Sequence, residues 1–325
     1  MFYETLFFLN NFIKNCPFTS MNIAIVGTGS FALSIAYLLE KNSYTFTFIG
    51  RDENQLQELQ EQRHNHKYSH YCFTNNITTK KLDSDMDYSE YDVLFYCLPS
   101  SSLHLLRNTT IPIVFTNKGF ENFFLFERFS NYCILSGGSF ATEILNGTPC
   151  YVSLASKNEI LQKKVQNLLQ SSQCILSLTD KTKDVEILGI YKNIIAVFCG
   201  IVRGLELGKN ISSAFMTKCL EYIIRFYELD KGSLLEPAGI GDLFLSCASP
   251  KSRNFSYGSK IVLHSNYQSP KLVEGLKSLK NLYHKKPNSL LYELHDVLLL
   301  IQKRNHKDAT DIIHAIISEG FFFQN

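Results

Sequence analysis

A chain of 325 residues with almost no charge imbalance, no paired cysteine motif and no long apolar run has already lost several possible functions. Lysine and arginine number 32 against 30 aspartates and glutamates, a formal net charge of +2, so nothing in the bulk argues for a nucleic-acid partner. The nine cysteines are scattered, odd in number and free of any CxxC pair, and most sit in apolar surroundings. That suits reduced thiols in a cytoplasmic protein better than disulfides or a metal site. No stretch reaches about 18 uninterrupted apolar residues, so no membrane span is expected. Internal repeats and low-complexity tracts are absent too. The apolar opening, residues 1–20, lacks a basic n-region, carries Glu4 early and offers no small-x-small cleavage site. Met21, followed at once by a strand, is a natural start, and residues 1–20 are expected to be an appended leader outside the core. What remains is ordinary globular composition, 45% hydrophobic and 19% charged, at a length that accommodates about two domains.

The first half alternates between two periods. Apolar strands are expected at 22–26, 44–49, 92–98, 111–116, 133–136 and 150–155, with helical or turn segments between them. A helix over 159–171 and a strand over 174–178 would close the sheet. Alternation of this kind predicts an α/β fold, a Rossmann-type doubly wound and mostly parallel sheet over residues 21–180. On such a sheet Gly27-x-Gly29-x-x-Ala32 has a physical meaning. Gly27 makes the tight turn, Gly29 lets backbone approach a pyrophosphate, and small Ala32 lets the helix pack close. The alternative is a strand-to-helix turn that merely needs glycine. At the second strand end, Arg51 offers a guanidinium to a 2′-phosphate or an adenine face, whereas Asp52 keeps a ribose contact possible, so NAD and NADP both stay open. His64, His66 and His70 form either a metal site or a solvated loop; no cysteine or carboxylate of ligand spacing accompanies them.

The polar stretch 179–186 reads as a crossing, and from residue 181 to 325 the pattern is helical: about 185–205, 212–229, 237–245, 290–301 and 308–317, with Asn210 in the N-cap region of the second. An all-α partner beside a dinucleotide sheet forms one wall of a substrate cleft. Lys192 interrupts the apolar run Ile187–Cys199. Stripping water from an ammonium costs several kcal/mol unless something offsets it. Either the side chain snorkels out or pairs with a carboxylate, or it is held in a cleft, where desolvation makes a lysine a usable proton donor or acceptor. Lys118 follows the strand ending near Phe115, and carboxyl ends of parallel strands are where open α/β sheets bind ligands; the alternative is a solvated turn lysine. Ser252-Arg253-Asn254 clusters donors suited to phosphate oxygens, or is simply a polar helix start.

Taken together these segments resemble the bacterial-type NAD(P)-dependent glycerol-3-phosphate dehydrogenase family from about Met21 to about Ser318. The matching motifs are Ile25-Val-Gly-Thr-Gly-Ser-Phe-Ala32, Asn117-Lys-Gly119, Leu135-Ser-Gly-Gly-Ser-Phe-Ala-Thr-Glu143 and Tyr191-Lys-Asn-Ile-Ile-Ala196. They continue with Gly200-Ile201, Gly204-Leu205, Gly208, Gly241-Asp-Leu243, Ser252-Arg-Asn254 and Val273-Glu-Gly275. The resemblance implies that Ser30, Phe31, Arg51, Lys118, Ala141, Arg253, Leu272 and Glu274 line the cofactor, with Gly27 and Gly29 in the turn. It implies that Lys118, Gly137, Ser139, Lys192, Asp242, Ser252, Arg253 and Asn254 hold the substrate, and that Lys192 transfers the proton. Asp242 would orient Lys192 or a substrate hydroxyl, and Lys118, Arg253 and Asn254 would bind a phosphate. The implied reaction reduces dihydroxyacetone phosphate to sn-glycerol 3-phosphate for phospholipid synthesis, in a cytoplasmic enzyme that is a possible homodimer.

The chain departs from the family at Gly138, where proline is usual, at Asn117, at Arg203 and in the shortened segment Tyr68–Tyr71. Two other readings stay open: a different two-domain dehydrogenase acting on a hydroxy or keto acid such as ketopantoate, and a non-catalytic dinucleotide sensor.

Overall fold

A computed structural model describes residues 21–319 apart from 69, 107–109, 122 and 269–272. The expected leader, residues 1–20, lies outside the described residues.

Eight strands form one sheet: β1 Ile23–Val26, β2 Thr47–Gly50, β3 Thr78–Lys81, β4 Val93–Tyr96, β5 Ile113–Phe115, β6 Tyr132–Gly138, β7 Cys150–Ala155 and β8 Cys174–Thr179. Their order is β3-β2-β1-β4-β5-β6-β7-β8. Neighbours pair in parallel except β6 with β7, so β7 and β8 run together against the rest. Strands β1, β4 and β5 are buried along their whole length and apolar throughout, because helices and loops cover both faces. The chain order reverses between β1 and β4, and the carboxyl ends of strands at such a switch point are where open α/β sheets bind ligands. The polar strand β3, Thr-Thr-Lys-Lys, is absent from the sequence expectation. It lies at the sheet edge, where lysines are tolerated and no apolar alternation is required.

Helices α1 Ser30–Lys41 and α2 Glu53–Gln62 follow the first two strands. Short α3 Leu125–Arg128 and α4 Ala141–Leu145 and longer α5 Glu159–Leu169 complete the layers around the sheet. The chain then enters helix α6, Thr182–Gly204, two residues after β8 ends. Helix α6 is long and apolar enough to cross a membrane, yet its apolar window is wholly buried by the rest of the fold. Packed around it are α7 Lys209–Phe226, α8 Asp242–Ala248, α9 Arg253–Leu263 and α10 Glu274–Lys285, with α11 Ser289–Gln302 and α12 His306–Glu319 outside them.

Two differences from the sequence reading matter for the site. The expected helix over 237–245 is a wide turn, Pro237–Gly241, followed by α8; Gly239 leaves helical geometry (φ −86°, ψ −117°) and lets Asp242 open a new helix. Helices α9 and α10 escaped the helical pattern. Helix α9 lies against α6 so closely that a Cβ on Gly258 would sit 1.8 Å from the Val197 carbonyl oxygen. That contact, made by absence of a side chain, leaves few apolar residues to announce the helix.

Candidate active site

The first turn is built from backbone. Gly27 N–H donates to the Ile49 carbonyl at 2.8 Å, and its φ of +122° is open to glycine. Gly29 caps α1 with no side-chain bond, the first turn of the helix carries no acid, and nothing lies within 4 Å of where a Cβ would stand. Exposed N–H groups at a twelve-residue helix, approachable from outside, fit the pyrophosphate of a dinucleotide. Ser30 and Phe31 are half-buried in that turn, and Ala32 is fully buried. Arg51, at the end of β2, is exposed, while Asp52 is drawn into capping α2, accepting from Gln55 N–H at 3.2 Å.

Three strand ends further along the same edge, the construction changes. Lys118, on the loop after β5, donates to Asp242 Oδ2 and to the Gly137 carbonyl, both at 2.8 Å. Lys192, in the middle of α6, donates to the other oxygen, Asp242 Oδ1, at 2.7 Å and to Ser246 Oγ at 2.9 Å. Ser139 Oγ donates to the same Gly137 carbonyl at 3.1 Å. The side chain of Lys192 is 10% exposed and that of Asp242 2%. Pairing with a carboxylate is one of the ordinary fates of a core lysine. A carboxylate shared between two ammonium groups is not, because it leaves an excess positive charge in a place poor in water. Burial lowers the pKa of Lys118 to about 8, with Asp242 opposing the shift and Lys192 adding to it. Burial alone would raise Asp242, but the two ammonium groups outweigh it and hold the carboxyl below its usual value.

A buried chain of amides fixes this arrangement. Asn193 donates to the Lys118 carbonyl at 2.8 Å, Asn254 donates to Asn193 Oδ1 at 2.9 Å, and Gly275 N–H donates to Asn254 Oδ1 at 3.0 Å. The Ser-Arg-Asn group is therefore divided. Ser252 caps α9 by accepting from Phe255 N–H, Asn254 is tied into the amide chain, and only Arg253 stands exposed. Glu274, first residue of α10, has a buried Oε2 without a hydrogen bond, and burial raises its pKa. A Cβ on Gly119 would meet that oxygen at 2.6 Å and Ser100 Oγ at 2.7 Å. Ala141 opens α4, its carbonyl accepting from Ser34 Oγ at 3.1 Å. Leu272 lies outside the described residues.

Ser246 and Asn193 were not among the expected site residues. Ser246 stands four residues after Asp242 on one helical face, a spacing that could have found it. Of the departures, Gly138 ends β6 opposite Tyr151, Asn117 has a buried Oδ1 without a partner, and Arg203 is exposed at the end of α6. Tyr71 is structural: its hydroxyl donates to Glu40 at 2.6 Å. His64 and His66 both face Glu58.

A turn that fits an anion and a pair of confined ammonium groups lie along one edge of one sheet, the arrangement of a dinucleotide-dependent oxidoreductase. The particular branch follows from comparison with known proteins. The NAD-dependent glycerol-3-phosphate dehydrogenase N-terminus matches residues 22–162 and its C-terminus matches residues 182–311. Glycerol-3-phosphate dehydrogenase [NAD(P)+] of Neorickettsia sennetsu is 30% identical, spanning 81% of this chain and 84% of that protein. The enzyme of the same name from Ehrlichia chaffeensis is 31% identical over 81% and 89%. The crystal structure of glycerol-3-phosphate dehydrogenase from Coxiella burnetii shares the fold, with a TM-score of 0.77 at 23% identity over 92% of this chain and 99% of that one. The chain belongs to the NAD-dependent glycerol-3-phosphate dehydrogenase family.

Proposed function

We propose that this enzyme reversibly reduces dihydroxyacetone phosphate to sn-glycerol 3-phosphate with NAD(P)H, and that Lys192 moves the proton. Residues 21–180 form the cofactor domain and 181–325 the substrate domain. The observation that carries the reading is Asp242 held between Lys118 and Lys192, at 2.8 and 2.7 Å. One negative charge against two positive ones favours a bound anion, and a phosphorylated ketone brings it.

A bound nicotinamide supplies the hydride. Lys192 donates its proton to the oxygen of the ketone as that oxygen gains charge, and takes it back in the reverse direction. Asp242 and Ser246 keep the Lys192 ammonium aimed, so little is reorganised when the proton leaves. Lys118 adds positive charge at the substrate, and its lowered pKa makes that charge dependent on pH near 8. Arg253, exposed as the first residue of α9, takes the phosphate in this reading, while Ser252 and Asn254 hold the backbone around it. The family likeness supports a cytoplasmic homodimer supplying glycerol 3-phosphate to phospholipid synthesis.

The test is Lys192→Met. The variant should fold and bind dinucleotide, yet lose about 10²–10⁴-fold in turnover with dihydroxyacetone phosphate, the usual worth of acid–base assistance. Near-normal turnover would remove Lys192 from the chemistry. Unmodified enzyme should turn over dihydroxyacetone phosphate far faster than dihydroxyacetone or ketopantoate; equal rates would remove the phosphate from the reading.

A further inference from the structure

The carboxyl end of β2 is where an adenosine ribose meets a Rossmann-type sheet, and an acid there selects against a 2′-phosphate. The last position of the strand has no room for one. The strand ends in Gly50, where a Cβ would lie 2.7 Å from Thr28 Cγ2 and 3.1 Å from Leu56 Cδ2. Thr28 is fastened in place by donating to Gln55 Oε1 at 2.7 Å. The acid that follows, Asp52, caps α2 through Oδ1, so its charge faces the N-terminus of that helix. Arg51, between them, is exposed and makes no hydrogen bond or ion pair with the described residues.

A second acid follows at once in the chain. Glu53 begins α2, and Lys81 of the neighbouring strand ion-pairs with it. Lys81 is the register partner of Gly50 and the last residue of β3, and Leu82 N–H donates to the Gly50 carbonyl at 2.7 Å. The lysine is therefore held by sheet pairing beside the strand end that Arg51 extends.

We propose that Lys81 is a specificity-determining residue: by neutralising Glu53 it leaves Arg51 as the uncompensated charge at the adenosine site, which then prefers the 2′-phosphorylated cofactor. The assignment rests on the dinucleotide reading of the first turn but not on the identity of the reduced substrate. It extends the discrimination from the one guanidinium in the β2–α2 turn to a pair of residues contributed by two other elements.

The experiment is calorimetric titration at low salt with adenosine 2′,5′-bisphosphate and with 5′-ADP, neither of which is turned over. Unmodified enzyme should bind the 2′-phosphorylated probe more tightly. Lys81→Met should cut that preference about three- to five-fold, the scale of an exposed charge pair, with 5′-ADP affinity nearly unchanged. Adding Glu53→Gln to Lys81→Met should restore it. An unaltered preference in Lys81→Met, or an equal loss for both probes, overturns the role of Lys81 and leaves the dinucleotide reading standing. Failure of unmodified enzyme to bind either probe overturns both.

Discussion

The proposed cofactor side and the proposed substrate side of this site are made of different material. At the first turn the proposed recognition is by backbone: Gly27 and Gly29 leave amides and empty space, and the charge complementarity would come from the end of α1. At the other side it is by side chains that have been taken out of water, with Lys118, Lys192 and Asp242 sharing two short ion pairs and Asn193 and Asn254 bracing them. The difference teaches where each half is vulnerable. A backbone site tolerates most substitutions except those that fill its space. A buried charge site tolerates almost any change of shape except one that unbalances its charges, because each unpaired ion in a dry interior carries its full desolvation cost.

Four substitutions or conditions sharpen that contrast. Asp242→Asn leaves two confined ammonium groups facing a neutral amide, and should destabilise the fold by about 3–5 kcal/mol as well as abolish turnover, read from urea midpoints and a 340 nm assay. A loss below 1 kcal/mol would mean that water already compensates the lysines. Gly258→Ala should come next. Its methyl meets the Val197 carbonyl and must push α9 off α6, at a cost of about 1–3 kcal/mol or more, with weakened turnover because Asn254 moves with the helix.

The third is pH. Lys118 titrates near 8 in the folded chain and at its ordinary, higher value when unfolded. Above pH 8 the unfolded chain holds a proton there that the folded chain has released, so this group adds stability as pH rises towards 10.5. The same deprotonation removes positive charge from the substrate side, so the Michaelis constant for dihydroxyacetone phosphate should rise above pH 8. Lys118→Met should flatten both trends; unchanged slopes would assign them to another group. Smallest in stability is Gly29→Ala, within about 0.5 kcal/mol because its φ is ordinary, though it should weaken dinucleotide binding about ten-fold by standing where the pyrophosphate comes. Undiminished binding, measured by cofactor titration, would separate the turn from the cofactor.

The same contrast explains what could be read in advance. Strands β1, β4 and β5 were legible because burial on both faces demands unbroken apolar runs, and the first turn was legible because its glycines sit between such a strand and a helix. Strand β3 was not, since a polar edge strand is defined by the neighbour it pairs with. Helix α9 was not, because its key contact is made by Gly258, a residue without a side chain. Lys192 stood out for its apolar surroundings, but nothing in its neighbourhood names the partner fifty residues away, and still less that Lys118 competes for the same carboxylate.

From its order of residues alone the chain determines a wound sheet, a glycine turn between its first strand and first helix, a helical second half and the presence of a lysine in an apolar helix. These are local properties, set by periodicity, glycine and burial preference within a few residues. Only the tertiary structure decided which charges meet, that Asp242 serves two lysines, that Asn254 braces the site, and that Lys81 stands against Glu53. Electrostatic energy depends on distance and surrounding water, and both are settled by folding.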